Sequence, residues 1–357
     1  MSAIIDEYIA AIHKAAETKI PLQISGGGTK HFYGNTMTKQ DISLLEMNNY
    51  HGIVDYEPTE LVITARAGTR LADLEAMLAQ HGQMLAFEPP HFGEQVTLGG
   101  CVASGLSGPR RASAGSVRDY VLGVRMLDGQ GRDLRFGGQV MKNVAGYDIS
   151  RLMTGSMGTL GVLLEVSLKV LPRPATEMTL RMSLNESAAI EKMNQWAGKP
   201  LPISATCYTA GELFLRLSGA ESAVRVAQLK LGGEAVTDGE IFWHAIREQT
   251  HAFFQTDEPL WRLSIRSTAV PITWTGKQLI EWNGGLRWLQ SGDETETKII
   301  RNAAEKAGGH ATLFRNGQSR IGVFHPLPPA MMKIHRLLKE KFDPLGIFNP
   351  GRLYPEI

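Results

Sequence analysis

Apolar residues recur along the first half of the chain with helical and strand-like periods in turn. Residues 1–19 place isoleucines on one side and charged residues on the other, which predicts an amphipathic helix. Short β-rich runs over 21–24 and 60–67 predict strands, and the apolar spacing over Leu71–His81 predicts a second helix. The remaining elements predicted here are a hairpin over 120–136, a short helix over 149–154 and a strand over 162–171.

The pattern changes after Leu171-Pro172-Arg173-Pro174, where two prolines end the strand. Beyond this point β-rich runs alternate with helical ones, namely strands over 178–182, 203–208, 212–218, 262–267 and 286–288, helices over 186–197, 222–230, 239–253 and 294–307, and a last helix near 329–341. This mixture predicts an α+β fold. We therefore expect domains at 1–173 and 174–328, with a C-terminal helix and tail at 329–357.

Three glycine-rich stretches separate the predicted elements of the first half: Ser25–Thr29, Thr97–Gly105 and Gly155–Gly161. Glycine lets the backbone approach a bulky ligand and leaves N–H groups free for phosphate oxygens. For the first stretch a surface turn and a diphosphate cradle remain equally open. For the second stretch, the glycines either allow a helix and a strand to pack closely or let a flat ligand ring lie on the main chain. Neither Rossmann nor P-loop spacing occurs, so a large phosphorylated cofactor would be held by loops spread over 25–161.

Composition narrows the class of protein further. Among 357 residues, 37 Lys and Arg nearly balance 36 Asp and Glu, so no broad field for nucleic acid or anionic lipid is expected. The two cysteines form no CxxC pair, and the ten histidines show no ligand spacing, so no metal site is expected. No run approaches the ~18 apolar residues of a membrane span, and no GxSxG elbow indicates a serine hydrolase. The six tryptophans are interpreted as packing residues.

Several single residues outside the glycine stretches are candidates for contact with a ligand. Arg110 and Arg118 follow the second stretch. Each either contacts an anionic group of a cofactor or lies on an ordinary solvated surface. Tyr147 either packs on a ring or lines a substrate cleft, whereas Asp148 is expected to cap the helix that follows it. His91 lies beside a proline turn and is expected to be ordinary.

The ordered motifs resemble those of the vanillyl-alcohol oxidase, or PCMH-type, FAD-binding family. The first and second glycine stretches, then K-N-x-x-G-Y-D at 142–148 and G-S-x-G-x-L-G at 155–161, follow the family's order and spacing. The ending Asp343–Gly351 is similar to the family's C-terminal segment. The resemblance implies a two-lobed FAD-binding domain, a smaller α+β cap domain and a tail that returns to the flavin.

The resemblance also implies roles for particular residues. The first stretch would hold the pyrophosphate, the second would run beside the phosphates and flavin, and 158–162 would lie near the adenosine. Gly28 stands where covalent members carry a histidine, so FAD is expected to be bound non-covalently. The implied cofactor-binding residues are Ser25, Gly26, Gly27, Gly28, Thr29, Thr97, Leu98, Gly99, Gly100, Ala103, Ser104, Gly105, Arg118, Gly158, Thr159, Gly161, Val162 and Asn349.

Within that family, residues 85–92 and 308–315 are similar to the smaller FAD-binding subunits of bacterial glycolate oxidases (glycolate dehydrogenases). The H-x-G-D-G-N-x-H type motif of the 2-hydroxy-acid dehydrogenases has no match in the chain. This resemblance implies a cytoplasmic subunit, held at the inner membrane if at all through its partners. It would work with a larger FAD-binding subunit and an iron–sulfur subunit in oxidising glycolate to glyoxylate.

Two alternatives stay open at this stage. In the first, the chain is an autonomous FAD-dependent 2-hydroxy-acid dehydrogenase, and His91, Arg110, Tyr147 or Arg315 orients the substrate. In the second, it is a structural subunit that has inherited a flavin fold. The catalytic base is not identified by the sequence.

Overall fold

A computed structural model describes residues 2–37, 41–138, 148–292, 296–317 and 322–357. The helices are α1 Ser2–Thr18, α2 Leu71–Gln80, α3 Leu98–Ser104, α4 Arg111–Ala114, α5 Val117–Tyr120, α6 Ile149–Leu152, α7 Glu186–Ala197, α8 Glu221–Leu231, α9 Gly239–Glu248, α10 Thr297–Lys306 and α11 Pro329–Phe342. The strands are β1 Leu22–Ser25, β2 Ser43–Glu46, β3 Ile53–Glu57, β4 Val62–Arg66, β5 Gln83–Met84, β6 Val121–Leu127, β7 Asp133–Gly137, β8 Val162–Lys169, β9 Leu171–Pro172, β10 Thr176–Ser183, β11 Ile203–Thr209, β12 Glu212–Gly219, β13 Glu234–Val236, β14 Leu260–Ser264, β15 Gln278–Glu281, β16 Leu286–Gln290 and β17 His310–Arg315.

The described residues of the first half of the chain build three small sheets, of which β5 with β9 is the shortest. Strands β3-β4-β8-β6-β7 form an antiparallel sheet, and β1 pairs in parallel with β2. The apolar stripe of α2 is buried against β4 and β8, which explains why its helical spacing is so regular. A bridge between Leu22 and Phe348 brings the C-terminal tail alongside β1. Residues 22–25, near the start of the chain, therefore lie beside the C-terminal tail.

The second half builds one eight-stranded antiparallel sheet in the order β13-β10-β12-β11-β15-β16-β14-β17. Helices α7 and α8 pack against its leucine-rich strands β10 and β12. Trp288 and Phe314 of the same sheet pack instead with Tyr33, Leu106 and Met157 of the first half. The sheet is thus buried against both its own helices and the loops of the first half.

Most local predictions agree with the structure, and the predicted α+β class is confirmed. The hairpin β6–β7 and the helices α2 and α7 begin or end within one or two residues of their predicted bounds. Helix α9 ends at Glu248, five residues early, because Gln249 adopts a left-handed conformation with φ of 56°. Strand β17 was not predicted, and it pairs with β14. The K-N-x-x-G-Y-D motif, apart from Asp148, lies outside the described residues.

Candidate functional site

A cleft of about 320 Å³ opens where the first glycine stretch, α3 and the C-terminal tail meet. A smaller cavity of about 70 Å³ continues it toward the third glycine stretch. The two cavities share Ile24, Gly26, Thr97, Gly100, Ala103, Met157 and Asn349. We treat them as one feature, the cofactor cleft.

The first glycine stretch forms one wall of the cofactor cleft, and close packing holds it in place. A Cβ atom on Gly27 would lie 1.5 Å from the carbonyl oxygen of Gln95, so the loop tolerates no side chain there. In the part of the chain that the structure describes, the backbone N–H groups of residues 26–29 donate no hydrogen bond. Residues 26–29 line the cofactor cleft, and N–H groups that are free of protein acceptors suit the oxygens of a phosphate.

The second glycine stretch is helical, whereas a loop was expected. Thr97 caps α3 by accepting a hydrogen bond from the Gly100 N–H group, and Gly105 ends the helix with φ of 67°. The N–H groups of Leu98 and Gly99 donate to the carbonyl oxygens of Thr69 and Ala67. The start of α3 is therefore satisfied within the protein, and its Gly100–Ala103–Ser104 side lines the cleft.

Asn349 joins the C-terminal tail to both walls of the cleft. Its Oδ1 accepts a hydrogen bond of 2.9 Å from the Ile24 N–H group, and its Nδ2 donates one of 2.7 Å to the Met157 carbonyl oxygen. Gly158 has φ of 70°, and a Cβ there would lie 2.6 Å from the Asn349 amide. The buried Asn349 side chain thus fixes the spacing between the first and third glycine stretches.

Two cations line the cofactor cleft, and no carboxylate of the described residues lines it. Lys30 follows the first glycine stretch directly, and Arg352 comes from the tail. His31 also lines the cleft, but burial and the nearby Arg352 lower its pKa, so its imidazole is mostly neutral near pH 7. The guanidinium of Arg352 donates to the carbonyl oxygens of His31, Tyr33 and Asn35, so it ties the tail to this loop without losing its charge. The resulting field favours an anionic ligand.

The charge state of Lys30 makes the effect of this positive field on FAD binding testable. Its Nζ donates to the His91 carbonyl oxygen, and burial lowers the pKa of Lys30 to about 8. Because the protonated form attracts a diphosphate, we expect FAD affinity to fall about tenfold as the pH rises from about 7 to about 9.5. Fluorescence titration of the FAD-free chain across this range measures the effect.

Two variants control this pH prediction. Lys30→Arg keeps its charge, so its FAD affinity should stay level over the same range. Lys30→Met should bind FAD weakly and without pH dependence. A level profile in the unmodified chain would contradict the assignment of Lys30 as an anion-binding group.

The structure separates the other residues predicted to bind the cofactor. Gly158 and Gly161 line the extension of the cleft. Leu98, Gly105, Thr159 and Val162 belong to the framework behind it, since they are not among its lining residues. Arg118 lines a different cavity of about 200 Å³, together with Arg151 and His335.

Three of the four predicted catalytic candidates lie within the described residues, and each contacts protein groups of its own. The Arg110 side chain is buried and is ion-paired with Glu88 and Glu177. His91 Nε2 lies 3.2 Å from a Glu75 carboxylate oxygen. The Arg315 guanidinium lies 4.5 Å from the centre of the Phe32 ring, and Tyr147 lies outside the described residues.

Among the cleft residues that sequence reasoning missed are three with basic side chains: Lys30, His31 and Arg352. The signal that would have found them is adjacency, because Lys30 and His31 follow one glycine stretch and Arg352 follows the Asn349-Pro350-Gly351 turn. Cations that flank candidate phosphate loops are the natural counter-charges for a diphosphate.

Within the described residues, no helix combines the length and the apolar character needed to cross a bilayer.

Known proteins resemble the chain at the level of both sequence and fold. A family model described as "FAD binding domain" matches residues 3–137. Glycolate oxidase subunit GlcE of Escherichia coli (strain K12) is 50% identical over 97% of this chain and 96% of that protein. Glycolate oxidase subunit GlcD of Bacillus subtilis (strain 168) is 31% identical over 49% of this chain and 37% of that protein.

A solved structure of alkyldihydroxyacetonephosphate synthase has the same fold, with a TM-score of 0.66 and 15% identity over 97% of this chain and 74% of that one. This agreement confirms the predicted PCMH-type architecture. FAD is the cofactor of the family, and a cleft with free N–H donors, cations and no lining carboxylate fits its diphosphate. The chain therefore belongs to the PCMH-type FAD-binding oxidoreductases and, among them, to the family of the glycolate oxidase subunit GlcE.

Proposed function

We propose that the chain is the FAD-binding subunit of a multi-subunit glycolate oxidase that converts glycolate to glyoxylate. The observation that carries this proposal is the cofactor cleft, which residues 26–29 line together with Lys30 and Arg352. Among the described residues, the backbone N–H groups of 26–29 donate no hydrogen bond. Such a cleft suits a dinucleotide diphosphate and is of no use to a purely structural subunit.

The cleft residues divide the work of holding FAD. Residues 26–29 hold the diphosphate through their N–H groups, and Lys30 supplies a counter-charge. The Gly100–Ala103 side of α3 offers a flat apolar surface to the ring system, and Gly158 and Gly161 leave room for the adenosine end. The chemistry that bound FAD would supply is acceptance of a hydride and release of electrons one at a time.

The partners in this proposal are a larger FAD-binding subunit and an iron–sulfur subunit that takes the electrons. Two relatives carry the name of glycolate oxidase subunits, which supports an assembly of several chains. The missing H-x-G-D-G-N-x-H type motif supports a division of labour, in which the larger subunit contributes to substrate oxidation.

An absorption spectrum of the purified chain, recorded without oxygen before and after glycolate is added, tests the proposal. We expect flavin bands that persist with glycolate alone and bleach once the larger subunit is added. Bleaching by the chain alone would instead establish an autonomous dehydrogenase. A folded chain that neither contains nor takes up FAD would overturn the cofactor assignment and leave a structural subunit.

A further inference from the structure

A second, smaller pocket of about 30 Å³ lies between the segment 90–109 and the eight-stranded sheet. By the same measure a single water needs about 10–15 Å³, so the space suits a molecule of a few heavy atoms. The pocket is close to the cofactor cleft: Leu106 lines it, and Ser104, two residues earlier, lines the cleft. Its charged and polar lining includes Arg262, Glu281 and Gln249.

Arg262 lines this pocket and forms no ion pair with the carboxylates of the described residues. It lies on β14 opposite Trp288, and its guanidinium lies 5.1 Å from the Trp282 ring centre and 6.0 Å from that of Trp288. No carboxylate oxygen of the described residues lies within 4.0 Å of its nitrogens. The guanidinium of Arg111 lies 4.4 Å from the same Trp282 ring, which adds a second positive charge. Two half-buried like charges beside one ring favour binding of an anion.

Glu281 does not neutralise this pair. Its carboxylate is 4% exposed and accepts a hydrogen bond of 2.9 Å from the Trp288 indole. Burial raises the pKa of Glu281 to about 7, because the Trp288 hydrogen bond and the Arg262 charge offset only part of the desolvation. Near neutral pH a large fraction of Glu281 is therefore uncharged.

Gln249 supplies an independent sign of a missing ligand. The residue is 4% exposed, yet its Oε1 has no hydrogen-bond partner among the residues that the structure describes. A buried acceptor without a donor costs about 1–3 kcal/mol, so such groups are rare in folded proteins. A ligand hydroxyl that donates to Oε1 removes this penalty.

We propose that this pocket binds a small 2-hydroxy carboxylate, with the carboxylate on Arg262 and the hydroxyl donating to Gln249. The choice of 2-hydroxy acid over other small anions rests on the proposed function, whereas the carboxylate site rests on the geometry of the pocket. Phe92, Leu106 and Trp288 give the pocket apolar walls that favour short acids over long ones. Arg262 thus becomes the residue that sets carboxylate specificity, and Gln249 the one that sets the preference for a hydroxyl.

Tryptophan fluorescence of the full chain tests this site directly, because Trp282 and Trp288 flank the Arg262 guanidinium. Titration with glycolate should give a saturable change whether or not FAD is bound, and ethylene glycol, which lacks the carboxylate, should give none. Arg262→Met should weaken glycolate binding about tenfold or more, and Arg262→Lys should weaken it less. Gln249→Leu should weaken glycolate binding while leaving acetate binding unchanged.

Arg266→Met is the matched control, since Arg266 lies on the same segment but is exposed, and its glycolate binding should equal that of the unmodified chain. Circular dichroism verifies the fold of each variant. Unaltered glycolate binding in Arg262→Met, or no saturable signal from the unmodified chain, would overturn the site. Because this readout does not depend on FAD, a chain that binds glycolate but no FAD would refute the proposed function and leave the pocket intact.

Discussion

We expect the Gly27→Ala variant to bind FAD about 10- to 100-fold more weakly than the unmodified chain. The added Cβ would lie 1.5 Å from the Gln95 carbonyl oxygen and 2.2 Å from its carbon, atoms of backbone that no rotamer change moves aside. The loop must therefore shift outward, and the N–H groups of residues 26–29 shift with it. Since these donors form the wall of the cleft, the diphosphate loses several hydrogen bonds at once.

Equilibrium dialysis of FAD with the purified variant measures this effect. The matched control is Gly198→Ala, because no atom lies within 4 Å of a Cβ at that position and the site is remote from the cleft. We expect Gly198→Ala to bind FAD as the unmodified chain does. Normal affinity in Gly27→Ala would show that the first glycine stretch does not hold the cofactor.

We expect the Glu88→Gln variant to lose about 3–5 kcal/mol of unfolding free energy. Glu88 accepts hydrogen bonds from the Arg216 guanidinium at 2.9 Å and from the Arg110 N–H group at 2.9 Å. Both arginine side chains are less than one-tenth exposed, at 8% for Arg110 and 7% for Arg216. Neutralising Glu88 leaves two buried guanidiniums with Glu177 as the remaining carboxylate beside Arg110. The variant should also weaken the contact between the first half of the chain and β12, the strand that carries Arg216.

The pH dependence gives this prediction a second readout. Burial raises the pKa of Glu88, but Arg216 and Arg110 outweigh it and hold the pKa below its usual value. The stabilisation is therefore present above the unfolded-state pKa of about 4.3 and is lost as the pH falls through the folded-state pKa. Urea unfolding of Glu88→Gln should show less loss of stability below about pH 4.3 than the unmodified chain shows.

An exposed glutamate provides the comparison for Glu88. Glu234 pairs with Arg181 at 2.8 Å, but its side chain is 76% exposed, so Glu234→Gln should cost less than about 1 kcal/mol. Equal losses in the two variants would show that the Glu88 cluster is not a buried electrostatic contact between the two halves of the chain.

Local structure and the class of cofactor could be predicted from the sequence because both depend on patterns among residues that are close together in the chain. The apolar spacing of α2 and the turn between β6 and β7 are properties of neighbouring residues, and each predicted its element well. The order of the glycine stretches likewise predicted a large phosphorylated ligand. The helical state of Thr97–Gly105 was missed because its two adjacent glycines disfavour a helix, and the Thr97 cap together with contacts to Ala67 and Thr69 overcomes that preference.

Contacts between distant residues decided the rest. The sequence by itself determined many of the elements, the α+β class and the FAD-binding family, since these follow from periodicity and from motifs read in order. It did not distinguish Arg110 from Arg262, because both are arginines within apolar surroundings. The folded chain places Glu88 beside Arg110 and no carboxylate within ion-pair distance of Arg262 among the described residues. Likewise the bond from Ile24 to Asn349 spans 325 positions, a separation that no local pattern encodes.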